Sequence, residues 1–280
     1  MGNPVVQGRM DRLTRRWWFL LGFALLNLVP PYVSKPLSHQ EWSEMWRVYD
    51  HIFNNAFHAR LVSPWWNVFQ AAPIVLALLI VLVGKPVSRP FSAYAAVTFG
   101  LFAILQNVSI TKKYGLGIVT CNLLWFSILA GFWAWEAFAG LNDFSRSHRP
   151  AWRYWVVPLA LYAFWVPIAP DKTGTLHFAP AFFLKFHTGL AFCLMAPVYL
   201  AILSLYYPRV NLAVMRLTGL TGIILAFYNM LGAYFGRTVF HAVVHTPLLA
   251  ISIYAFVLSF LRPAGCGAGA AARKDYEDPA

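Results

Sequence analysis

The sequence predicts an all-α fold: a polytopic membrane bundle of about eight transmembrane helices, with one amphipathic interfacial helix on the outer face. Three observations predict it. Of the 280 residues, 59% are hydrophobic and only 11% charged, against about 25% charged in ordinary soluble domains. Apolar runs close to the ~20 residues needed to cross a hydrocarbon core recur along the whole chain. Helix breakers fall between them, at Pro30-Pro31, Gly84-Lys85-Pro86, Pro150, Pro170, Pro208 and Gly236.

The runs cover residues 17–33, 64–83, 91–108, 115–139, 152–168, 181–206, 212–234 and 239–261. Residues 1–262 therefore form one integral membrane domain, and residues 263–280, small and charged without apolar periodicity, a disordered cytoplasmic tail. Arg9, Arg12, Arg15 and Arg16 precede the first run as in a signal peptide. The Pro31-Tyr32-Val33-Ser34-Lys35 that follows has no small-x-small cleavage site, so the run reads as an uncleaved first helix.

The net charge of +12 sits in short loops rather than in a patch interleaved with aromatics. That pattern sets membrane orientation and argues against nucleic-acid binding. Placing both termini in the cytoplasm puts Lys85, Arg89, Arg146, Arg149, Arg153 and Arg209 inside with the N-terminal arginines. Fewer cations, among them Lys35, Arg47, Lys112 and Lys113, then lie outside. The expected location is the plasma (inner) membrane. Membrane lipid is the expected partner, with membrane-complex subunits or a second copy of the chain as further ones. Cys121, Cys193 and Cys266 are far apart and form no disulfide framework.

The long outer loop contains Ser38-His39-Gln40-Glu41, a capping-box pattern. Behind it Trp42, Met45, Trp46, Tyr49, Ile52, Phe53, Ala56 and Phe57 share one helical stripe. Residues 38–58 read as an amphipathic helix on the outer membrane surface, with Trp42, Trp46 and Phe53 toward lipid and His51 and His58 toward water.

Polar residues gather at the outer ends of the runs: Gln70, Gln106, Asn107, Asn122, Lys185, His187, Tyr228, Asn229, His241 and His245. Polar side chains in spans face the bundle interior or a wet cavity. His187 and His245 both lie about 9 Å inside their helix starts. The expectation is an outward-facing polar pocket with His187, His241, His245, Asn122, Asn229 and Gln106 as ligand-binding residues, closed below by aromatics. His241 and His245 are four apart, so both rings can reach one centre, the spacing that zinc helices use. With His187 as a third ligand the set suits zinc or another divalent metal. A haem would instead pair His187 with His245 across the ring. The bland alternative is two interface histidines bonded to neighbours. Pro247 removes a helical hydrogen bond beside the pair.

The stretch "FHAVVH", Phe240 to His245, resembles the H-x-x-x-H of the final helix in the alkaline ceramidase and adiponectin-receptor group of seven-helix zinc amidohydrolases. That resemblance implies metal-ligand roles for His241 and His245. The group also has a histidine on an early helix and an aspartate after it. The corresponding "FAILQNVSITKKYGLGIVTCN" here has neither.

Three classes remain from sequence. The first is a membrane protein with a histidine-containing pocket for a ligand, lipid or metal, whose sharpest form is a metal-dependent intramembrane hydrolase. The second is a transporter or channel, for which the inner half offers mainly Glu136 and Arg216. The third is a non-catalytic subunit of a membrane complex.

Overall fold

The computed structural model describes residues 4–57, 65–146, 149–171, 173–184, 188–234 and 239–261. The fold is mostly helical, as the composition requires. Short α1 (Pro4–Arg15) precedes α2 (Trp17–Leu25), α3 (His39–Ser43), α4 (Met45–Asn54), α5 (Trp66–Leu82) and α6 (Ser88–Leu105). Then come α7 (Thr120–Ala139), α8 (Val156–Trp165), α9 (Phe192–Tyr206), α10 (Leu212–Tyr234) and α11 (Val239–Leu258). Each of the eight apolar runs contains a helix.

The expected lengths are corrected. Among the described residues three helices, not eight, are long and apolar enough to cross a membrane: Lys85–Leu105, Leu212–Leu231 and Val239–Leu258. Shorter apolar helices occupy Trp17–Leu28, Trp66–Leu82 and Phe192–Tyr206. The run ends went to other structure. The first run finishes as a 3-10 turn and strand β1 (Tyr32–Val33). The third and fourth give up their facing ends to a hairpin, β2 (Val108–Thr111) and β3 (Gly115–Ile118). The fifth stops at Trp165, where Val166 takes φ 48°. The sixth opens with 3-10 turns at Pro180–Leu184 and Thr188–Leu190, and its α-helix starts at Phe192. Strands β4 (Ile168–Pro170) and β5 (Leu176–Phe178) pair between α8 and α9.

The hairpin and β1 form an antiparallel sheet in the order β1-β3-β2, with Tyr32 opposite Ile118 and Ser109 opposite Gly117. Its turn needs Gly115, at φ +67°, where a Cβ would meet the Ser34 hydroxyl. The amphipathic segment packs on this sheet. It breaks at Glu44 into α3 and α4 and keeps the expected capping box between Ser38 and Glu41. Val48 and Ile52 join Tyr114, Val119 and Cys121 in a small core of their own. Trp42 and Trp46 stay exposed on the flank. The expectation for His51 is also corrected: it is half-buried and meets Tyr114 edge to face at 4.9 Å. His58 lies outside the described residues, as do Lys185, His187, Arg237 and the tail 263–280.

The main core is aromatic. Phe91, Phe99, Phe102, Trp125, Phe126, Trp133, Phe192 and Tyr199 interlock between α6, α7 and α9. Two buried polar clusters hold the end of the bundle opposite the hairpin. Glu136 is fully buried; its carboxylate accepts from Asn142 N at 2.7 Å and from Asn211 Nδ2 at 2.8 Å. Asn211 Oδ1 in turn accepts from Ala213 N and Val214 N at the start of α10. Arg216, also fully buried, donates to Asp11 (3.1 Å), Thr14 (2.5 Å) and the Ser259 carbonyl (2.8 Å), and its guanidinium lies over Phe260. The first helix and the end of the last thus meet at one residue, and both described chain ends lie on the same side of the bundle, here called the terminal end.

Around the bundle runs an exposed apolar band that includes Leu21, Val75, Leu78, Val97, Leu161, Ile253 and Val257. Exposed aromatics flank it at both ends: Trp17, Trp18, Trp152, Tyr154 and Trp155 at the terminal end, Tyr32, Trp42, Trp46 and Trp65 at the hairpin end.

Candidate functional site

Three contacts fix helix register at the hairpin end. Trp133 Nε1 on α7 donates to Thr218 Oγ1 on α10 at 3.2 Å. Eleven residues toward the hairpin return to the same face of each helix and reach Asn122 on α7 and Asn229 on α10. On α10 and α11, a Cβ at Gly222 would stand 2.1 Å from Ser252 Oγ, so these helices meet backbone to side chain. Seven residues from that crossing are Asn229 and His245. Rings of Phe102 on α6 and Phe126 on α7 lie 6.1 Å apart, and one turn outward from them are Gln106 and Asn122. Register therefore puts Gln106, Asn122, Asn229 and His245 at one depth, with His241 one turn further out. Beneath that layer Phe126 and Phe192 are 4.7 Å apart and Phe99 and Phe192 5.8 Å apart.

The local bonds of these side chains are specific. His245 is nearly buried, and its Nδ1 donates to the His241 carbonyl at 2.6 Å. Because a carbonyl oxygen only accepts, Nδ1 carries a proton in this contact. The ring is thereby turned toward its own backbone. Asn229 Nδ2 donates to the Leu225 carbonyl at 2.8 Å. Gln106 Oε1 accepts from Phe192 N at 3.4 Å and so ties the end of α6 to the start of α9. Asn122 is nearly buried; its Oδ1 receives the Cys121 thiol at 3.8 Å. Nearby, Asn27 Nδ2 donates to Tyr228 Oη. α11 remains helical through Pro247.

Among the described residues no group of three or more histidine, cysteine, aspartate or glutamate side chains is placed to hold a metal ion. The third proposed ligand, His187, is outside those residues, so the three-histidine set is not assembled within them. Sequence reasoning missed Asn107 as a structural anchor. It is fully buried, its Nδ2 donates to the Phe102 carbonyl at 2.7 Å, and its own carbonyl accepts from Val119 N at 2.8 Å. Glu136 and Arg216, candidates for a transport path by sequence, are instead held in the two structural clusters described above.

A shallow polar cavity of about 220 Å³ lies on the cap, lined by Ser38, Gln40, Glu41, Glu44, Arg47, Lys113 and Tyr114. Its charges are mutually paired: Lys113 with Glu41 at 3.0 Å and Arg47 with Glu44 at 2.8 Å.

Comparison with known proteins gives no relative: no family model, no curated protein and no solved structure matches this chain.

Proposed function

We propose that the chain is an integral membrane protein of the plasma (inner) membrane, with both termini cytoplasmic. Its working site is then an outward-facing polar, histidine-containing pocket at the hairpin end. The exposed apolar band between two aromatic girdles supports the membrane reading. Chain ends on one side call for an even number of crossings: the three long and three shorter apolar helices give six, and α7 and α8 bring the count to eight.

One observation carries the pocket: Gln106, Asn122, Asn229 and His245 come to a common depth from α6, α7, α10 and α11, directly above interlocked phenylalanines. Three amides and an imidazole present donors and acceptors. They suit a hydrogen-bonding ligand or an uncharged lipid headgroup, and the aromatic floor favours a closed pocket over a transport path. A zinc ion on His241, His245 and His187, and with it hydrolysis, is the sharper form of the same site.

The test is the full chain purified in mild detergent, with bound small molecules and metals measured by mass spectrometry. A hydrogen-bonding molecule retained by wild type and lost from Asn122→Leu and Asn229→Leu is the expected result. Stoichiometric zinc lost in His245→Ala would move the reading to the metal site. Wild type and all variants carrying the same bound species would sink the pocket.

A further inference from the structure

The terminal end holds a cavity of about 290 Å³ lined by Val81, Arg146, Arg149, Tyr154 and Tyr206. Among the described residues no carboxylate lines it. Arg146 Nη2 reaches the Leu82 carbonyl at the end of α5 at 3.4 Å. The Arg149 guanidinium stacks on the Tyr206 ring, with its carbon 3.7 Å from the ring centre. Its Nε is buried and makes no hydrogen bond among the described residues. The stacking fixes the plane of a guanidinium whose N–H edges point away from the ring, the preorganised fork that recognises phosphate oxygens. In the same loop Asp143 is already committed: it accepts from Ser145 N at 2.9 Å and faces Arg209 at 3.4 Å. It does not neutralise the pair. At the rim, Val81 is 60% and Tyr154 47% exposed, an apolar approach beside a cationic floor.

We propose that this cavity is a binding site for a phosphate-bearing anion, held by Arg146 and Arg149. Two sources share that chemistry: an anionic phospholipid headgroup with its chains along α5, and free phosphate. The proposal is independent of the hairpin-end pocket.

The test uses the delipidated full chain in detergent, titrated with phosphatidylglycerol by native mass spectrometry and with inorganic phosphate by calorimetry. Each arginine replaced, in Arg149→Gln and in Arg146→Gln/Arg149→Gln, should weaken binding about fivefold. Arg12→Gln, an exposed arginine on α1, should change nothing. Loss of phosphatidylglycerol binding assigns the lipid headgroup; loss confined to inorganic phosphate assigns the free anion. Arg149→Gln alone carries the test where the double variant does not fold. Equal binding of both probes by wild type and Arg149→Gln, or an equal loss in Arg12→Gln, overturns the site.

Discussion

Trp133 Nε1 donates to Thr218 Oγ1 at 3.2 Å with both residues fully buried. This bond sets α7 against α10. Thr218→Val keeps the shape but removes the acceptor and strands an indole N–H in the core. The variant should lose about 1–3 kcal/mol, read as a lower thermal midpoint in detergent, while Thr218→Ser stays near wild type. A valine variant that melts with wild type would remove this bond from the account of register.

Asn211 serves two roles, capping α10 and donating to the buried Glu136 carboxylate. Asn211→Ala should therefore cost more than an ordinary cap, roughly 2–4 kcal/mol. Glu136→Gln should be milder, because one carbonyl oxygen still accepts from Asn142 N. The order of the two midpoints checks this; a larger loss for Glu136→Gln contradicts it.

The cap should respond to acid. The Ser38 backbone N–H, then Lys113 and the Ser38 hydroxyl, hold the Glu41 carboxyl down at about 2 from its ordinary 4.5. A depressed carboxylate stabilises the fold above its unfolded value and loses that contribution as pH falls through the folded one. The start of α3 should thus be unchanged at neutral pH and loosen between about 4.5 and 2. Amide exchange at Glu41 and Trp42 measured across that window tests it. Loosening already complete at pH 5 would contradict the assignment.

Gly189 is where the turn before α9 meets α5. A Cβ there would stand 2.1 Å from the Phe69 carbonyl oxygen and 2.4 Å from its carbon. These are backbone atoms, so α5 must move as a body. That move disturbs the bond from Tyr94 Oη to the same carbonyl, 2.9 Å long. Gly189→Ala should cost about 1–3 kcal/mol. An unchanged midpoint would show that the two segments separate freely.

The helical content and the positions of the helices were legible because apolar runs of bundle length have few other solutions. Their ends were not. "VSITKKYGLGI", Val108 to Ile118, alternates over only a few residues, and an apolar average of helical length absorbs it into the neighbouring runs. The stripe on residues 38–58 was legible as amphipathic, but it reads alike whether it covers a membrane or a sheet. That ambiguity misplaced His51. The equal depth of His187 and His245 assumed one continuous helix of 1.5 Å per residue over 181–206, whereas Pro180–Leu184 and Thr188–Leu190 are 3-10 turns and the α-helix starts at Phe192. The roles of Glu136 and Arg216 could not be read, because Asn211 and Asp11 are 75 and 205 residues away in the chain.

The link from Arg216 to Asp11 and Ser259 bears on how the protein is made. Asp11 leaves the ribosome 205 residues before its partner. At the usual pace of synthesis, roughly 5–20 residues per second, that is a wait of about 10–40 s. Through that interval α1 has no docking site. The clasp closes only when α11 has been delivered, because the Ser259 carbonyl completes it.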